Sequence, residues 1–101
     1  MADGVIRSVA LNLVKARLNR LESDTSLDGY LTARIEAAIT QLTEIGIVPD
    51  ETYNDMMLVV DLTVWQYMNR DSVGSMPEWL RLRRRERWLR QHKREADGDD
   101  S

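Results

Sequence analysis

Apolar residues recur every three or four positions along much of the chain, which is the spacing of one face of an α-helix. The most regular stripe predicts a helix over about residues 26–45, with Thr25 and Asp28 approximating a capping box at its start. Gly46 follows this helix where a left-handed residue is favoured. The stripe consists of Leu27, Leu31, Ile35, Ala38, Leu42 and Ile45.

Two further segments flank this helix and share its helical spacing. An earlier helix is predicted over about residues 5–21, with one face formed by Leu11, Val14, Leu18 and Leu21. A later one, over about residues 51–69 with Asp50 as its cap, is apolar on nearly every side. A helix of that kind packs on several faces, so it is expected to be the centre of the core.

The last predicted helix is rich in arginine. Ser75 and Glu78 form a capping-box pattern, from which the helix runs to about His92. Residues 95–101 are acidic and are predicted to be disordered. The whole pattern predicts an all-α fold: a compact bundle of about four helices in one domain over residues 1–94, followed by a short disordered acidic tail.

The faces of the arginine-rich helix predict where partners bind. Trp79, Leu82 and Leu89 share a narrow face that is expected to dock on the core. A second stripe contains Arg83, Arg87, Arg90 and Arg94, and the far side contains Arg81, Arg84 and Arg85 with Trp88 among them. Because Trp and Arg are enriched at the centres of interfaces, this helix is the candidate interface. The alternative is cation–π packing that only shields the Trp88 indole.

Asp61 is the one carboxylate predicted to lie among apolar neighbours, on the third helix. The favoured interpretation is a buried side chain that an arginine or a backbone donor of the same chain satisfies. The other interpretation is an ion pair between subunits, which makes Asp61 an interface candidate.

Charge is distributed unevenly along the chain. Residues 1–76 hold six Lys or Arg against eleven Asp or Glu, a net charge of −5, whereas residues 77–94 hold eight against two, a net charge of +6. Residues 95–101 then add four acids and no base. A basic segment between acidic ones indicates an interaction surface, since charge distribution decides which surfaces attract each other.

No grouping of residues indicates catalysis, so we expect a protein that is not an enzyme and holds no cofactor or metal. The chain has no cysteine, and its one histidine, His92, is expected to be a solvated side chain. The five glycines are too scattered for a phosphate-binding loop. Neither a run of about 18 apolar residues nor a secretory signal is present, so no membrane partner is expected.

Binding to nucleic acid is the main alternative function. Residues 81–94 contain seven arginines, which suit phosphate contacts, so a small helical regulator that binds nucleic acid through this segment is possible. The acidic remainder of the chain and the lack of a helix-turn-helix signature count against it. A helical binding module that forms no larger assembly is a third, weaker hypothesis.

Three short motifs, in a fixed order, carry a family resemblance. They are Val14-Lys15-Ala16-Arg17-Leu18, Ile35-Glu36-Ala37-Ala38-Ile39 and Trp65-Gln66-Tyr67-Met68-Asn69-Arg70. With these motifs in this order, the chain resembles the head–tail connector (head completion adaptor) family of tailed bacteriophages and prophages over roughly residues 9–71. The resemblance rests mainly on the alanine pair Ala37 and Ala38 and on Tyr67, Asn69 and Arg70, together with Leu18, Ile35 and Trp65 of the same motifs. It does not extend to the segment from Met76 onward.

The resemblance implies a structural subunit that assembles into a homo-oligomeric ring. In that family the ring lies beneath the portal protein at the capsid vertex and receives the next neck or tail protein. DNA passes through its lumen without sequence-specific binding. The implied location is therefore the virion neck, with assembly in the cytoplasm of the bacterial host. A ring needs two different, complementary faces, and the acidic body (residues 1–76) and the basic helix (residues 77–94) have opposite charges suited to such a contact. The basic helix could equally contact the portal.

Overall fold

Four α-helices form the protein over residues 2–70 and 75–99, which are the parts of the chain that this computed structural model describes; side chains are described for residues 6–70 and 75–93. The helices are α1 (Ala2–Arg17), α2 (Asp28–Glu44), α3 (Tyr53–Met68) and α4 (Glu78–Asp99). No strand occurs within the described residues. The predicted all-α bundle of about four helices is confirmed.

Helix α3 is the centre of the bundle, as its sequence predicts. It packs against α1, α2 and α4, and every residue from Leu58 to Val64 is buried. Seven consecutive buried positions require neighbours on all sides of the helix, because 3.6 residues complete one turn. Thr63 is the polar member of this run, and its hydroxyl donates to the carbonyl of Val59 at 2.7 Å.

The predicted stripe of α2 forms its buried face except at its two ends, where Leu27 is partly buried and Ile45 is 43% exposed. Leu31, Ile35, Ala38 and Leu42 are at most 1% exposed. Of the residues that carry the family resemblance, Leu18, Trp65 and Tyr67 are partly buried against this core, whereas Ala37 and Arg70 are exposed. The Arg70 guanidinium lies 4.5 Å from the centre of the Tyr67 ring.

Helix α1 ends four residues earlier than predicted, so one predicted core residue is on the surface. The helix stops at Arg17, and Asn19 takes a left-handed conformation with φ of 60°. Leu21 is consequently 73% exposed, and its predicted place on the core face is wrong. The buried Lys15 explains the turn, because its Nζ binds the Glu22 carbonyl at 2.8 Å and draws the chain back over the helix end.

Two helix starts also differ from the sequence prediction. At α2 the N-cap residue is Leu27, which makes no side-chain cap, and Asp28 instead pairs with Lys15 at 2.9 Å. At α3 the cap is Thr52, whose hydroxyl accepts from the Asp55 amide at 3.3 Å. Buried Lys15 needs a carboxylate partner, which outweighs a cap hydrogen bond at the surface.

Helix α4 continues to Asp99, beyond the predicted end at His92. It therefore includes residues 95–99, which the sequence predicts to be disordered. Residues 93–96 (Lys-Arg-Glu-Ala) all have high helix propensity, so none of them favours ending the helix there. Residues 100 and 101, and all side chains from Arg94 onward, lie outside the described residues. Among the described helices, none has the length and apolar character needed to cross a membrane.

Gly46 closes α2 in the left-handed conformation that the sequence predicts, with φ of 95°. A Cβ there would lie 2.8 Å from His92 Nε2 and 3.3 Å from Trp88 Nε1. We expect Gly46→Ala to lower the free energy of unfolding by about 1–3 kcal/mol, through backbone strain and displacement of α4. Urea denaturation followed by circular dichroism measures this.

Gly29 in α2 provides the matched control. An added Cβ there has no neighbour within 4 Å. Gly29→Ala should therefore stabilise the protein by up to about 1 kcal/mol through helix propensity alone. Equal effects of the two substitutions would show that the contact of Gly46 with α4 is unimportant.

Candidate protein-interaction surface on the fourth helix

The face of α4 that docks on the core is not the one predicted from hydrophobicity. Trp79, Leu82 and Leu89 are about half exposed, at 50%, 50% and 48%. The buried apolar residue is Leu80, and the inward face continues through Arg83 and Arg87. Helix α3 presents two buried carboxylates to α4, so arginines match this surface and leucines do not.

Asp61 of α3 is one of those carboxylates, and it lies between two arginines. It is 6% exposed; one oxygen accepts from Arg17 of α1 and the other from Arg83 of α4. The ion pairs thus join α1, α3 and α4 within one chain. This agrees with the favoured interpretation of Asp61, because both oxygens accept from arginines of the same chain.

Asp55 is the second carboxylate, one that the sequence analysis did not single out. It is 3% exposed, and Arg87 Nε donates to both of its oxygens, at 2.8 and 3.0 Å. Arg87 Nη2 also donates to the Val48 carbonyl at 2.9 Å, and the Asp50 amide donates to Asp55 at 2.9 Å. Arg87 therefore fixes α4 both to α3 and to the loop before it.

The end of α2 provides a third anchor for α4, through backbone carbonyls. Trp88 Nε1 donates to the Ile45 carbonyl and Gln91 Nε2 to the Gly46 carbonyl, both at 2.7 Å. His92 Nε2 lies 3.1 Å from the same Gly46 oxygen, and its ring centre lies 4.1 Å from that of Trp88. The expectation of a solvated His92 is wrong, because the last carbonyls of a helix need donors and these side chains supply them.

Asp50, which is exposed, and Asp24, which is half-buried, accept hydrogen bonds that tighten the turns before α3 and α2. Hydrogen bonds from the Thr52 side chain, and then from its amide, hold the pKa of Asp50 below its usual value of 3.8. Bonds from Ser26 do the same for the pKa of Asp24. Because both pKa values are lower in the folded chain, each carboxylate raises the free energy of unfolding. This stabilisation is complete above the unfolded pKa and is lost as pH falls through the folded pKa.

The outward side of α4 carries a groove with an apolar floor and a basic rim, here called the Arg/Trp groove. It has a volume of about 390 Å³ and is lined by Ile45, Arg81, Leu82, Arg84, Arg85 and Trp88. Ile45, Leu82 and Trp88 are 43%, 50% and 38% exposed. None of its three arginines makes an ion pair or hydrogen bond with another residue in the described part of the chain.

The arginines of α4 thus divide into two groups, which the sequence analysis could not separate. Arg83 and Arg87 face inward and neutralise buried carboxylates, and Arg83 also lies 5.9 Å from the Trp79 ring. Arg90 is exposed, and the side chain of Arg94 is outside the described residues. Trp88 does lie beside Arg81, Arg84 and Arg85 as predicted, but its indole N–H is engaged by α2.

The described side chains form no group of three or more His, Asp or Glu residues placed to hold a metal ion. The Arg/Trp groove is suited to a macromolecular partner, because it combines exposed apolar side chains with guanidinium groups that have no carboxylate partner within the described residues. No protein-family model, curated protein or solved structure matches this chain.

Proposed function

We propose that the protein is a head–tail connector subunit of a tailed phage or prophage, which forms a ring between the portal and the neck or tail. The observation that carries this proposal is the Arg/Trp groove. It is an exposed apolar and basic surface on a helix that buried ion pairs hold in place. Exposed Trp and Leu side chains beside unpaired arginines favour association with another molecule, so this surface is typical of a protein that binds partners.

The resemblance of residues 9–71 supports the type of assembly. The second motif lies in α2, and the first and third span the ends of α1 and α3, so the resemblance covers the body on which α4 docks. The proposed partners of the protein are further copies of the chain, the portal and the downstream neck or tail protein, with DNA passing through the lumen of the ring. The place of action is the virion neck, and assembly takes place in the host cytoplasm.

Charge supports the same assembly. Within α4 the inward arginines are neutralised by Asp55 and Asp61, so the basic charge that remains for partners is concentrated on the outward face. Residues 1–76, which form the body of the molecule, have the opposite net charge, −5. Opposite charge on two different faces favours the head-to-tail contacts from which rings are built.

Capture of the portal protein from the same phage or prophage genome tests the proposal. We expect immobilised protein to retain the portal, and Arg84→Glu/Arg85→Glu to weaken retention at least about tenfold, because charge reversal in the groove disrupts the subunit or portal contact made there. Arg34→Glu/Arg70→Glu, two arginines on α2 and after α3, is the control with the same change in net charge. No capture by the unmodified chain would reject the proposal.

Binding to nucleic acid remains the second candidate, favoured by the same unpaired arginines. Arg81, Arg85 and Arg90 are exposed and Arg84 is half-buried, and all four suit phosphate contacts. Titration with duplex DNA at several salt concentrations separates the two functions. Tight, sequence-selective binding without portal capture would favour the regulator, whereas weak, strongly salt-dependent binding fits a protein that lines a DNA channel.

A further inference from the structure

The Arg/Trp groove offers an apolar floor, in which Trp88 is held in place, beside a basic rim. Its floor is apolar and its rim is formed by Arg81, Arg84 and Arg85. Trp88 is held in place by its 2.7 Å bond to Ile45 and by stacking on His92. A surface already fixed in this way loses little entropy when a partner binds.

The loop between α1 and α2 presents a side chain of this kind. Leu21 is 73% exposed, the neighbouring Glu22 is also exposed, and the Glu22 carboxylate has no ion pair within the described residues. The loop is well fixed, since Lys15 Nζ binds the Glu22 carbonyl and Arg20 pairs with Asp24 at 3.2 Å. The Arg20–Asp24 pair is neutral, so Glu22 gives the loop its net charge.

The Leu21–Glu22 loop and the groove are two different surfaces of the chain. The loop lies near the start of α2, where Lys15 binds both the Glu22 carbonyl and Asp28, whereas the groove extends from Ile45, the C-cap of α2, along α4. Within the described residues the Glu22 carboxylate pairs with none of the groove's arginines, so it is available to a second copy.

We infer that Leu21 and Glu22 of one subunit dock in the Arg/Trp groove of a second copy of this chain. Leu21 covers the apolar floor, and Glu22 pairs with the arginine rim, most directly with Arg84 or Arg85. Because the two surfaces differ, the contact is heterologous and can repeat from subunit to subunit. Its role as the ring contact rests on the proposed function, but the contact itself does not.

The other strongly exposed apolar side chains fit this groove less well. Met68 is 66% exposed, but it lies near Arg70, which the arginine rim would repel. Tyr53 is 75% exposed and close to Glu51, but it begins α3, at the same end of the bundle as Ile45. A contact through Tyr53 is the competing contact that the cross-linking experiment distinguishes from the Leu21 contact.

Cysteine cross-linking tests this contact, and the chain has no cysteine of its own to interfere. Leu21→Cys and Leu82→Cys chains are mixed at high concentration, oxidised and analysed by non-reducing electrophoresis and mass spectrometry. We expect the mixed dimer at about tenfold or higher yield than from the Tyr53→Cys and Leu82→Cys pair, because only docked residues come within disulfide distance. A chain with both Leu21→Cys and Leu82→Cys should give a ladder of oligomers.

Equal yields from the two pairs, or a higher yield from the Tyr53→Cys pair, would overturn the inference. A charge exchange provides a second measurement. Glu22→Arg and Arg84→Glu should each lower the cross-linking yield, and the two together in one chain should restore it. These measurements need no portal protein, so a failed contact with intact portal capture rejects only the inference, and the reverse result rejects only the proposed function.

Discussion

Replacing Arg87 with methionine is expected to lower the free energy of unfolding by about 3–5 kcal/mol, because it leaves the buried Asp55 carboxylate without its charge partner. Asp55 is 3% exposed and receives both of its arginine hydrogen bonds from Arg87. The same substitution removes the bond to the Val48 carbonyl. Since small domains have about 5–15 kcal/mol of stability in total, α4 should detach or the chain should unfold at low urea concentration.

Urea denaturation, followed by circular dichroism and tryptophan fluorescence, measures the loss. Arg90→Met is the matched control, because Arg90 is exposed, and we expect a change within about 0.5 kcal/mol. A double variant, Asp55→Leu/Arg87→Met, should recover most of the lost stability, since it removes both charges. Equal losses for Arg87→Met and Arg90→Met would contradict the buried ion pair.

The double variant Arg17→Met/Arg83→Met is expected to cost a similar amount, about 3–5 kcal/mol, because it strands Asp61 between α1, α3 and α4. Asp61→Leu should cost less, about 1–2 kcal/mol. The difference arises because the side chains of Arg17 and Arg83 are 42% and 38% exposed, so they can turn to water once Asp61 is gone. Asp61 itself, at 6% exposed, cannot.

The order of these two effects is the decisive observation, and thermal or urea denaturation of the three proteins provides it. A triple variant in which all three residues become apolar should lie near the unmodified protein. If Asp61→Leu is as damaging as the double arginine variant, the carboxylate stabilises the fold by a route other than its two ion pairs.

The spacing of apolar residues was sufficient to predict those parts of the fold whose position depends on burying apolar side chains. It located the buried face of α2 and the central place of α3, because those helices bury apolar side chains on regular turns. It misplaced Leu21, since the turn after Arg17 depends on the buried Lys15 and its bonds to Glu22 and Asp28. A lysine that is buried in the fold has no distinct signature in sequence.

The docking face of α4 was mispredicted for a related reason. Hydrophobicity alone favours Leu82 and Leu89, but α3 presents Asp55 and Asp61 at the contact, and a buried charge outweighs a half-buried leucine. Asp61 was recognised by its apolar neighbours. Asp55 was not recognised, because it lies in the first turn of α3, where an exposed acid is common.

The anchors on Ile45 and Gly46 could not be found from side-chain patterns, since the acceptors are backbone carbonyls that every residue has. What the sequence did provide is Gly46, which marks where those carbonyls become free at the end of α2. It also placed Trp88 among arginines, and this is the feature on which the interaction surface depends.

Electron microscopy of the protein mixed with its portal tests the central claim most directly. The proposal predicts a closed ring of this chain stacked coaxially on the portal, with α4 at a subunit or portal contact and an open lumen. Particles of portal alone, or single copies bound at irregular positions, would contradict the assignment of the protein as a head–tail connector.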